Sequence, residues 1–298
     1  MFLYNSEQRS GASSSSILKH FGSSQASARR VESMFAARSP CGFDGSDSVV
    51  LYSHNQLPRR LSHSTVLEQF SEFAKDYVIS GYQVECHSPL RLNDCWGDDP
   101  IGSGGPDILE GNVTLSNEQR AALVRSFGPF TSTIYPPDVS YRLSKADLKA
   151  LRQKSQSNRI FKVELAKRKG RIAALGLDLA SELPHELVWI DFTLKLRFWA
   201  LENGFDSFIY TNNGEDQGND SFVTLQENQT SRAQERLCFN KEKYLDLVSP
   251  IFGDFLRSQY ELEKQNKLGI GSNSTSIHHH MFWAGVDPMS FWEVDKSL

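Results

Sequence analysis

Three carboxylates lie close together in a link between two short β-type runs, and their types and spacing could support acid–base chemistry. The link, TNNGEDQGND, contains Glu215, Asp216 and Asp220 and separates the runs 206–210 (DSFIY) and 221–225 (SFVTL). Aromatic and β-branched residues predict strands in both runs, and Gly, Asn and Asp favour turns between them. A carboxylate at an accessible strand end can act as a general base or stabilise a developing positive charge. A solvated hairpin is the alternative that composition alone favours.

The order of residues through this hairpin resembles the last motif of ADP-ribosyltransferases, in the versions found in bacterial effectors, toxins and phage-encoded proteins. Within 204–229 the chain has a Gly-aromatic-Asp strand, Tyr-x-Asn, a Glu, a Gly-containing link and a Ser-aromatic strand before a Gln. The resemblance implies a catalytic carboxylate beside the nicotinamide ribose of NAD. Glu215 is the first candidate for it. Asp220 is the rival, because in the poly(ADP-ribose) polymerase branch the Glu occupies the place held here by Asp220 and Ser221, and Ser221 is then implied to contact NAD.

The same resemblance implies NAD contacts near the start of the ordered chain. The strand-like run 48–54 (SVVLYSH) stands where the family's first strand ends in a His or Arg that binds the ribose and adenosine side of NAD. His54 is the first choice for that residue and Ser53 is the second. Arg59 and Arg60, just beyond, could contact the diphosphate through charge-assisted hydrogen bonds.

A third stretch resembles the aromatic walls that enclose the nicotinamide ring in this family. Phe130, Thr131 and Ser132 match an aromatic-Phe-Thr/Ser strand, and Tyr141 matches the second aromatic. A flat aromatic cation binds well between two π faces, with an attraction of roughly 0.5–2 kcal/mol per wall. A hydroxyl at Thr131 or Ser132 could position the catalytic carboxylate. Core aromatic residues on a strand are the alternative interpretation.

Composition divides the chain into a leader and a domain. Residues 1–48 contain thirteen serines and few acidic residues, which predicts a disordered leader. Such a segment resembles the export signal of bacterial type III effectors, and an ordinary disordered tail is the alternative. For residues 49–298 the resemblance implies an α+β domain with the split, mostly antiparallel β core of the ADP-ribosyltransferase type, flanked by helices.

Charge and cysteine content exclude some classes of function. The net charge of −4 argues against a nucleic-acid binder, and no apolar run reaches the ~18 residues that a membrane span needs. The four cysteines are scattered and suggest no disulfide framework. The run 278–280 (HHH) is not expected to bind one metal ion, because adjacent residues on a strand point to opposite faces. We expect no metal, no membrane insertion and a monomer.

The resemblance implies a secreted effector that acts in the host cytoplasm and transfers ADP-ribose from NAD to a host protein. The acceptor is expected to be a hydroxyl residue, such as threonine on ubiquitin. One alternative is an inactive effector of the same fold that binds a host protein through the loop 88–111 or the aromatic C-terminal tail. Another is a thiol hydrolase that uses Cys86 or Cys95 with a histidine.

Overall fold

The computed structural model describes residues 1–9, 17–39, 41–51, 57–92, 115–119, 122, 196–216, 218–267 and 281–295, and it has a mixed α+β architecture. The described strands are β1 (Phe2–Gln8), β2 (His20–Phe21), β3 (Cys41–Phe43), β4 (Ser48–Leu51), β5 (Arg59–Ser62), β6 (Tyr77–Val84), β7 (Pro89–Leu92), β8 (Ser207–Asn212), β9 (Asn219–Thr224), β10 (Thr230–Phe239) and β11 (Trp292–Val294). The helices are α1 (Ser24–Arg38), α2 (His63–Ala74), α3 (Lys241–Val248) and α4 (Phe252–Lys267). Residues 196–202 are also helical.

The described strands pair into three sheets. The first has the order β1–β6–β10–β11 and is antiparallel throughout. The second has the order β2–β9–β8–β7, in which only β7 and β8 run parallel. The third is the antiparallel meander β3–β4–β5. β6 (YVISGYQV) is buried at every position but one, which suits its place between two partner strands.

The prediction that residues 1–48 are disordered is wrong for the part of that range that the structure describes. β1 pairs with β6 along its whole length, from Phe2 opposite Gln83 to Gln8 opposite Tyr77. α1 begins at the N-cap Ser23, whose side chain accepts a hydrogen bond from the backbone N–H of Ala26. The serine-rich composition is misleading because β1 and α1 pack against elements far along the chain. The composition of residues 1–48 alone gives no information about those partners.

The main hydrophobic core lies where the helices meet the first and third sheets. Phe70 of α2 is fully buried in it and stacks on Phe282, with ring centroids 4.9 Å apart. Phe35 of α1 contacts both of these rings edge-on, at 5.4 and 5.0 Å. The aromatic residues of the C-terminal segment 281–292 therefore pack onto the rest of the domain. The buried members of this core are Ala28, Val31, Phe35, Cys41, Phe43, Val49, Leu51, Val66, Leu67, Phe70, Ala74, Tyr77, Ile79, Leu237, Phe239, Tyr244, Val248, Phe252, Leu256, Met281, Phe282, Trp283, Ala284, Phe291 and Trp292.

A second set of contacts, all polar, fastens β1 to its neighbours. Glu7 accepts hydrogen bonds from Lys19, Tyr82, Ser80 and Arg232, the last at 2.6 Å. Burial would raise the pKa of Glu7, but the hydrogen bonds from Lys19 and Tyr82 outweigh it and the pKa is lowered. A carboxylate with two cationic partners can stay ionised although it is largely enclosed.

The sequence 191–203 (DFTLKLRFWALEN), with Asp191 at the cap and an apolar stripe, predicts a helix, and the described residues 196–202 are helical. Gly204 follows it with φ of +82°, a left-handed conformation that ends the helix at the expected residue. Trp199 and Ala200 are buried, so the face of this helix that carries them packs against the protein interior. Among the helices that the structure describes, none is long and apolar enough to cross a membrane.

The role of α1 in the core can be tested with one substitution in the segment that composition misjudges. Phe35→Ala should lower the free energy of unfolding by about 3–5 kcal/mol, because it leaves a cavity beside Phe70 and Phe282. Gln25→Ala, on a less buried part of the same helix, should change it by less than about 0.5 kcal/mol. Urea denaturation followed by circular dichroism measures both. Equal stability of the two variants would contradict the packing of α1 in the core and would support the prediction of a disordered leader.

The polar contacts of Glu7 predict a dependence of stability on pH. The pKa of Glu7 is lowered in the folded protein, so its stabilising contribution is complete above the unfolded value and is lost as the pH falls through the folded one. Glu7→Gln should lower the free energy of unfolding by about 1–3 kcal/mol at pH 7. It should also flatten the loss of stability below about pH 4.5. Denaturation midpoints measured from pH 3 to 7 decide this, and parallel curves for the two proteins would contradict it.

Candidate functional site

The predicted hairpin is confirmed as β8 and β9, which pair antiparallel from Ser207 opposite Thr224 to Asn212 opposite Asn219. Gly218 has φ of +88°, which places it in the left-handed region just before β9 begins. The helical residues 196–202 lead into β8, as the sequence predicts. The carboxylates of the link are therefore held at the end of a two-stranded unit in the second sheet.

The pairing register divides the hairpin residues between two faces. Thr211 lies opposite Asp220, while Tyr210 lies opposite Ser221. Because neighbouring residues in a strand point to opposite sides, Asp220 and Ser221 cannot share a face. Asp220, the rival catalytic candidate, and Ser221, the implied NAD contact, therefore lie on opposite faces of the sheet.

Asp216 is 1% exposed and binds the N-terminus of α1. Its carboxylate accepts hydrogen bonds from the backbone N–H of Ser23 at 3.2 Å and from the Ser23 hydroxyl at 2.5 Å. A carboxylate at a helix N-terminus is stabilised by the helix dipole as well as by these donors. Gly22 passes close beside this contact: a Cβ there would lie 3.1 Å from Ser221 Oγ and 3.5 Å from Asp216 Oδ2. Asp216 therefore joins the hairpin to α1.

Glu215 lies between α1 and the hairpin, with 21% of its side chain exposed. Its backbone N–H donates to Asn212 Oδ1 at 2.8 Å, and Asn212 Nδ2 is 3.5 Å from Glu215 Oε2. On the other side, Arg30 Nη1 is 3.5 Å from Glu215 Oε1 and Arg29 Nη1 is 3.2 Å from the Glu215 carbonyl oxygen. Asn212 also donates to Ser221 Oγ at 3.1 Å. Glu215 and Ser221 are thus brought together through Asn212.

Asp220 forms a two-pronged ion pair with Arg91 of β7. Arg91 Nη1 and Nη2 donate to the two carboxylate oxygens at 2.9 and 2.7 Å, and the Thr211 hydroxyl is 3.4 Å from one of them. Hydrogen bonds from Arg91 are the main cause that lowers the pKa of Asp220, against the effect of burial. Asp220 is ionised, but a guanidinium already occupies both of its oxygens.

His20 and Tyr210 form a further polar pair on the side of the sheet that carries Ser221. His20 Nδ1 lies 3.1 Å from the Tyr210 hydroxyl. Burial, with a smaller effect from the charge of Arg30, lowers the pKa of His20 to about 3, so the imidazole is neutral at physiological pH. Sequence reasoning missed His20 because it lies inside the range taken for a disordered leader. The apolar pair Val31 and Phe35, four residues apart behind the N-cap Ser23, was the available signal.

The thiol alternative receives little support at Cys86. Burial is the largest effect on this thiol and raises its pKa, although a hydrogen bond with Ser207 opposes the shift. A raised pKa leaves less thiolate, which is the nucleophilic form. Cys95 lies outside the described residues.

Several other residues singled out in the sequence also lie outside the described residues. They are Ser53, His54, Phe130, Thr131, Ser132, Tyr141 and the run 278–280. Arg59 and Arg60 are described and belong to β5 in the third sheet, where Arg60 pairs with Asp44 at 2.5 Å. The observed candidate site therefore consists of the hairpin residues and the α1 residues that contact them.

The contact between Asp216 and Ser23 can be tested by its effect on stability. Asp216→Ala leaves the partly buried N–H and hydroxyl of Ser23 without their acceptor and should lower the free energy of unfolding by about 1–3 kcal/mol. Asp246→Ala, at an exposed position of α3, should change it by less than about 0.5 kcal/mol. Urea denaturation of both variants provides the measurement. A stability of Asp216→Ala equal to that of the control would mean that the contact does not hold α1 to the hairpin.

The chain was compared with known proteins at the level of family, sequence and structure. It matches no protein-family model, no curated protein and no solved structure. The function is therefore argued from the geometry of the hairpin and from the residues within it.

Proposed function

We propose that this protein transfers ADP-ribose from NAD to a side chain of another protein, with Glu215 as the carboxylate at the reacting bond. The observation that carries the proposal is the setting of Glu215. It is a partly exposed carboxylate at the end of a strand hairpin, fixed by Asn212 on one side and by Arg30 on the other. The resemblance of residues 204–229 to the last motif of ADP-ribosyltransferases supplies the reaction class.

The chemistry requires one well-placed carboxylate. As the bond between the ribose carbon and the nicotinamide nitrogen breaks, nicotinamide leaves with the electron pair and the ribose gains oxocarbenium character. The Glu215 carboxylate would stabilise that charge through a hydrogen bond to a ribose hydroxyl. An acceptor hydroxyl oxygen then forms the new bond to the same carbon, and its proton passes to Glu215. NAD is consumed as a substrate and no metal is required.

The contacts of Asp220 make it the weaker candidate for this role. Both of its oxygens are bonded to Arg91, and it lies on the face of the hairpin opposite to Ser221. A carboxylate that must approach a ribose would first have to leave this two-pronged pair, which is among the stronger side-chain interactions. Among the described residues, the contacts at the Glu215 carboxylate oxygens are longer, near 3.5 Å.

The charges around Glu215 favour a neutral acceptor. Arg29 and Arg30 both reach Glu215, while Asp216 is bonded to Ser23 and Asp220 to Arg91. A lysine or arginine acceptor would approach the guanidinium of Arg30 and would be repelled by it. A hydroxyl group has no such penalty. We therefore propose a hydroxyl acceptor on a host protein, with threonine on ubiquitin as the first to test.

We also propose that the protein is a bacterial effector that acts in the cytoplasm of a host cell, an assignment that rests on the resemblance alone. Residues 1–48 fused to a reporter provide the test in a strain with a functional type III secretion system. Export that depends on this system would support the proposal. Retention of the fusion inside the bacterium would show that residues 1–48 do not act as an export signal.

A binding protein of the same architecture is the second candidate. The observation that favours it is that both Glu215 oxygens already have partners, Arg30 and Asn212, as in a hairpin with a purely structural role. Such a protein would bind its partner without consuming NAD. Isothermal calorimetry with NAD distinguishes the two, because the transferase must bind NAD and the binding protein need not.

The transferase proposal is tested by incubating the purified protein with labelled NAD, ubiquitin and a eukaryotic lysate. We expect a labelled protein band, and we expect Glu215→Gln to reduce labelling by about 10²- to 10³-fold, because a charge that stabilises the transition state is lost. Asp220→Asn should keep labelling within about tenfold of wild type. Glu242→Gln, on an exposed part of α3, serves as the control.

The pattern of loss identifies the carboxylate. Loss of labelling in Asp220→Asn with retention in Glu215→Gln would reverse the assignment. Absence of labelling by the wild-type protein, together with absence of NAD binding, would favour the binding protein.

A further inference from the structure

We infer that Asn212 is a positioning residue that holds Glu215 and Ser221 in one fixed arrangement. The inference rests on the proposed function for its catalytic consequence, and its structural part stands on contacts alone. Asn212 is the last residue of β8 and is 4% exposed, so its side chain is enclosed where the strand ends and the link begins.

The orientation of the Asn212 amide follows from the chemistry of its partners. The backbone N–H of Glu215 can only donate, so the side-chain atom 2.8 Å away must be the amide oxygen. The amide nitrogen then faces Ser221 Oγ at 3.1 Å and Glu215 Oε2 at 3.5 Å. One planar group therefore fixes the backbone of Glu215, contacts its carboxylate and donates to the Ser221 hydroxyl.

This arrangement has a consequence for Ser221. A hydroxyl has one hydrogen to donate, and Ser221 accepts from Asn212 through its oxygen. The hydrogen of Ser221 remains to be donated in another direction. Asn212 thereby sets a donor at Ser221 and an acceptor at Glu215, and it keeps the two at a constant separation.

No other described side chain makes this set of contacts. Arg30 reaches only the Glu215 carboxylate, at 3.5 Å, and 52% of its side chain is exposed. Arg29 reaches only the carbonyl oxygen. Neither arginine contacts the Glu215 N–H. The contact of this N–H with Asn212 fixes the Glu215 backbone and therefore the position of its Cβ atom. A catalytic group displaced by about 1 Å can lose about 10²-fold in rate, so the contact with the N–H has the largest expected effect on turnover.

Two substitutions separate the contacts of Asn212. Asn212→Ala removes the amide completely, whereas Asn212→Asp keeps an oxygen for the Glu215 N–H and removes the donor to both Ser221 and the Glu215 carboxylate. The matched control is Asn213→Ala, because Asn213 is the next residue in the chain and is exposed. The first readout is hydrogen exchange at the Glu215 amide, which needs no substrate. The second is kcat and KM for NAD with labelled NAD and the acceptor lysate.

We expect Asn212→Ala to accelerate exchange at the Glu215 amide at least tenfold and to reduce kcat about 10²-fold with KM within about threefold of wild type. Asn212→Asp should keep the amide protected but still lose turnover, because the donor to Ser221 is absent. Asn213→Ala should change neither readout. A cooperative unfolding transition in each variant establishes that it folds. If Asn212→Ala does not fold, Asn212→Asp provides the test of turnover.

The outcomes separate this inference from the proposed function. Unchanged exchange in Asn212→Ala would overturn the positioning role whatever the activity. Accelerated exchange in Asn212→Ala, with a wild-type protein that neither binds nor consumes NAD, would support the positioning role and reject the transferase. Accelerated exchange with undiminished turnover would overturn the catalytic consequence.

Discussion

The candidate site depends on one buried carboxylate at the N-terminus of a helix. Asp216 is 1% exposed, and its two oxygens are bonded to the N–H and hydroxyl of Ser23. A buried carboxylate without partners is strongly unfavourable, so the hairpin keeps this shape only while α1 is in place. The contact also brings Arg29 and Arg30 of α1 beside Glu215. Asp216, the most enclosed acidic residue of the link, therefore holds the candidate site together, and its less enclosed neighbour Glu215 is the proposed catalytic carboxylate.

The three carboxylates have different partners because of their positions in the hairpin and the strand register, and composition does not predict those partners. Glu215, Asp216 and Asp220 fall within six positions, and composition alone does not show which of these three carboxylates is accessible. In the structure, Asp216 binds Ser23, Asp220 binds Arg91 on the other face, and Glu215 contacts Asn212. Each partner lies on a different element. The separation of Asp220 from Ser221 across the sheet requires only the alternation of side chains along β9.

The hairpin could be predicted from sequence because its information is local. Two aromatic and β-branched runs flank a link of turn-forming residues, and Gly204 marks the end of the preceding helix. The fold of the first 48 residues could not be predicted in the same way. β1 has its partner in β6, about seventy residues later, and Phe35 packs on Phe282. The local excess of serine gives no information about surface supplied from such a distance. Asn212 and Arg91 were missed as site residues for the same reason, since their importance lies in what they contact.

The double anchoring of α1 also determines when the protein can finish folding as it is synthesised. The hydroxyl of Ser23 meets Asp216, which is 193 residues later, and the buried Glu32 accepts from the N–H of Phe282, which is 250 residues later. At roughly 5–20 residues per second, these separations correspond to about 10–50 s of translation. Throughout that interval the apolar side chains of α1 lack the C-terminal part of the core that buries them, and Glu32 lacks the Phe282 N–H. The contacts that hold both ends of α1 can therefore form only after residue 282 has left the ribosome.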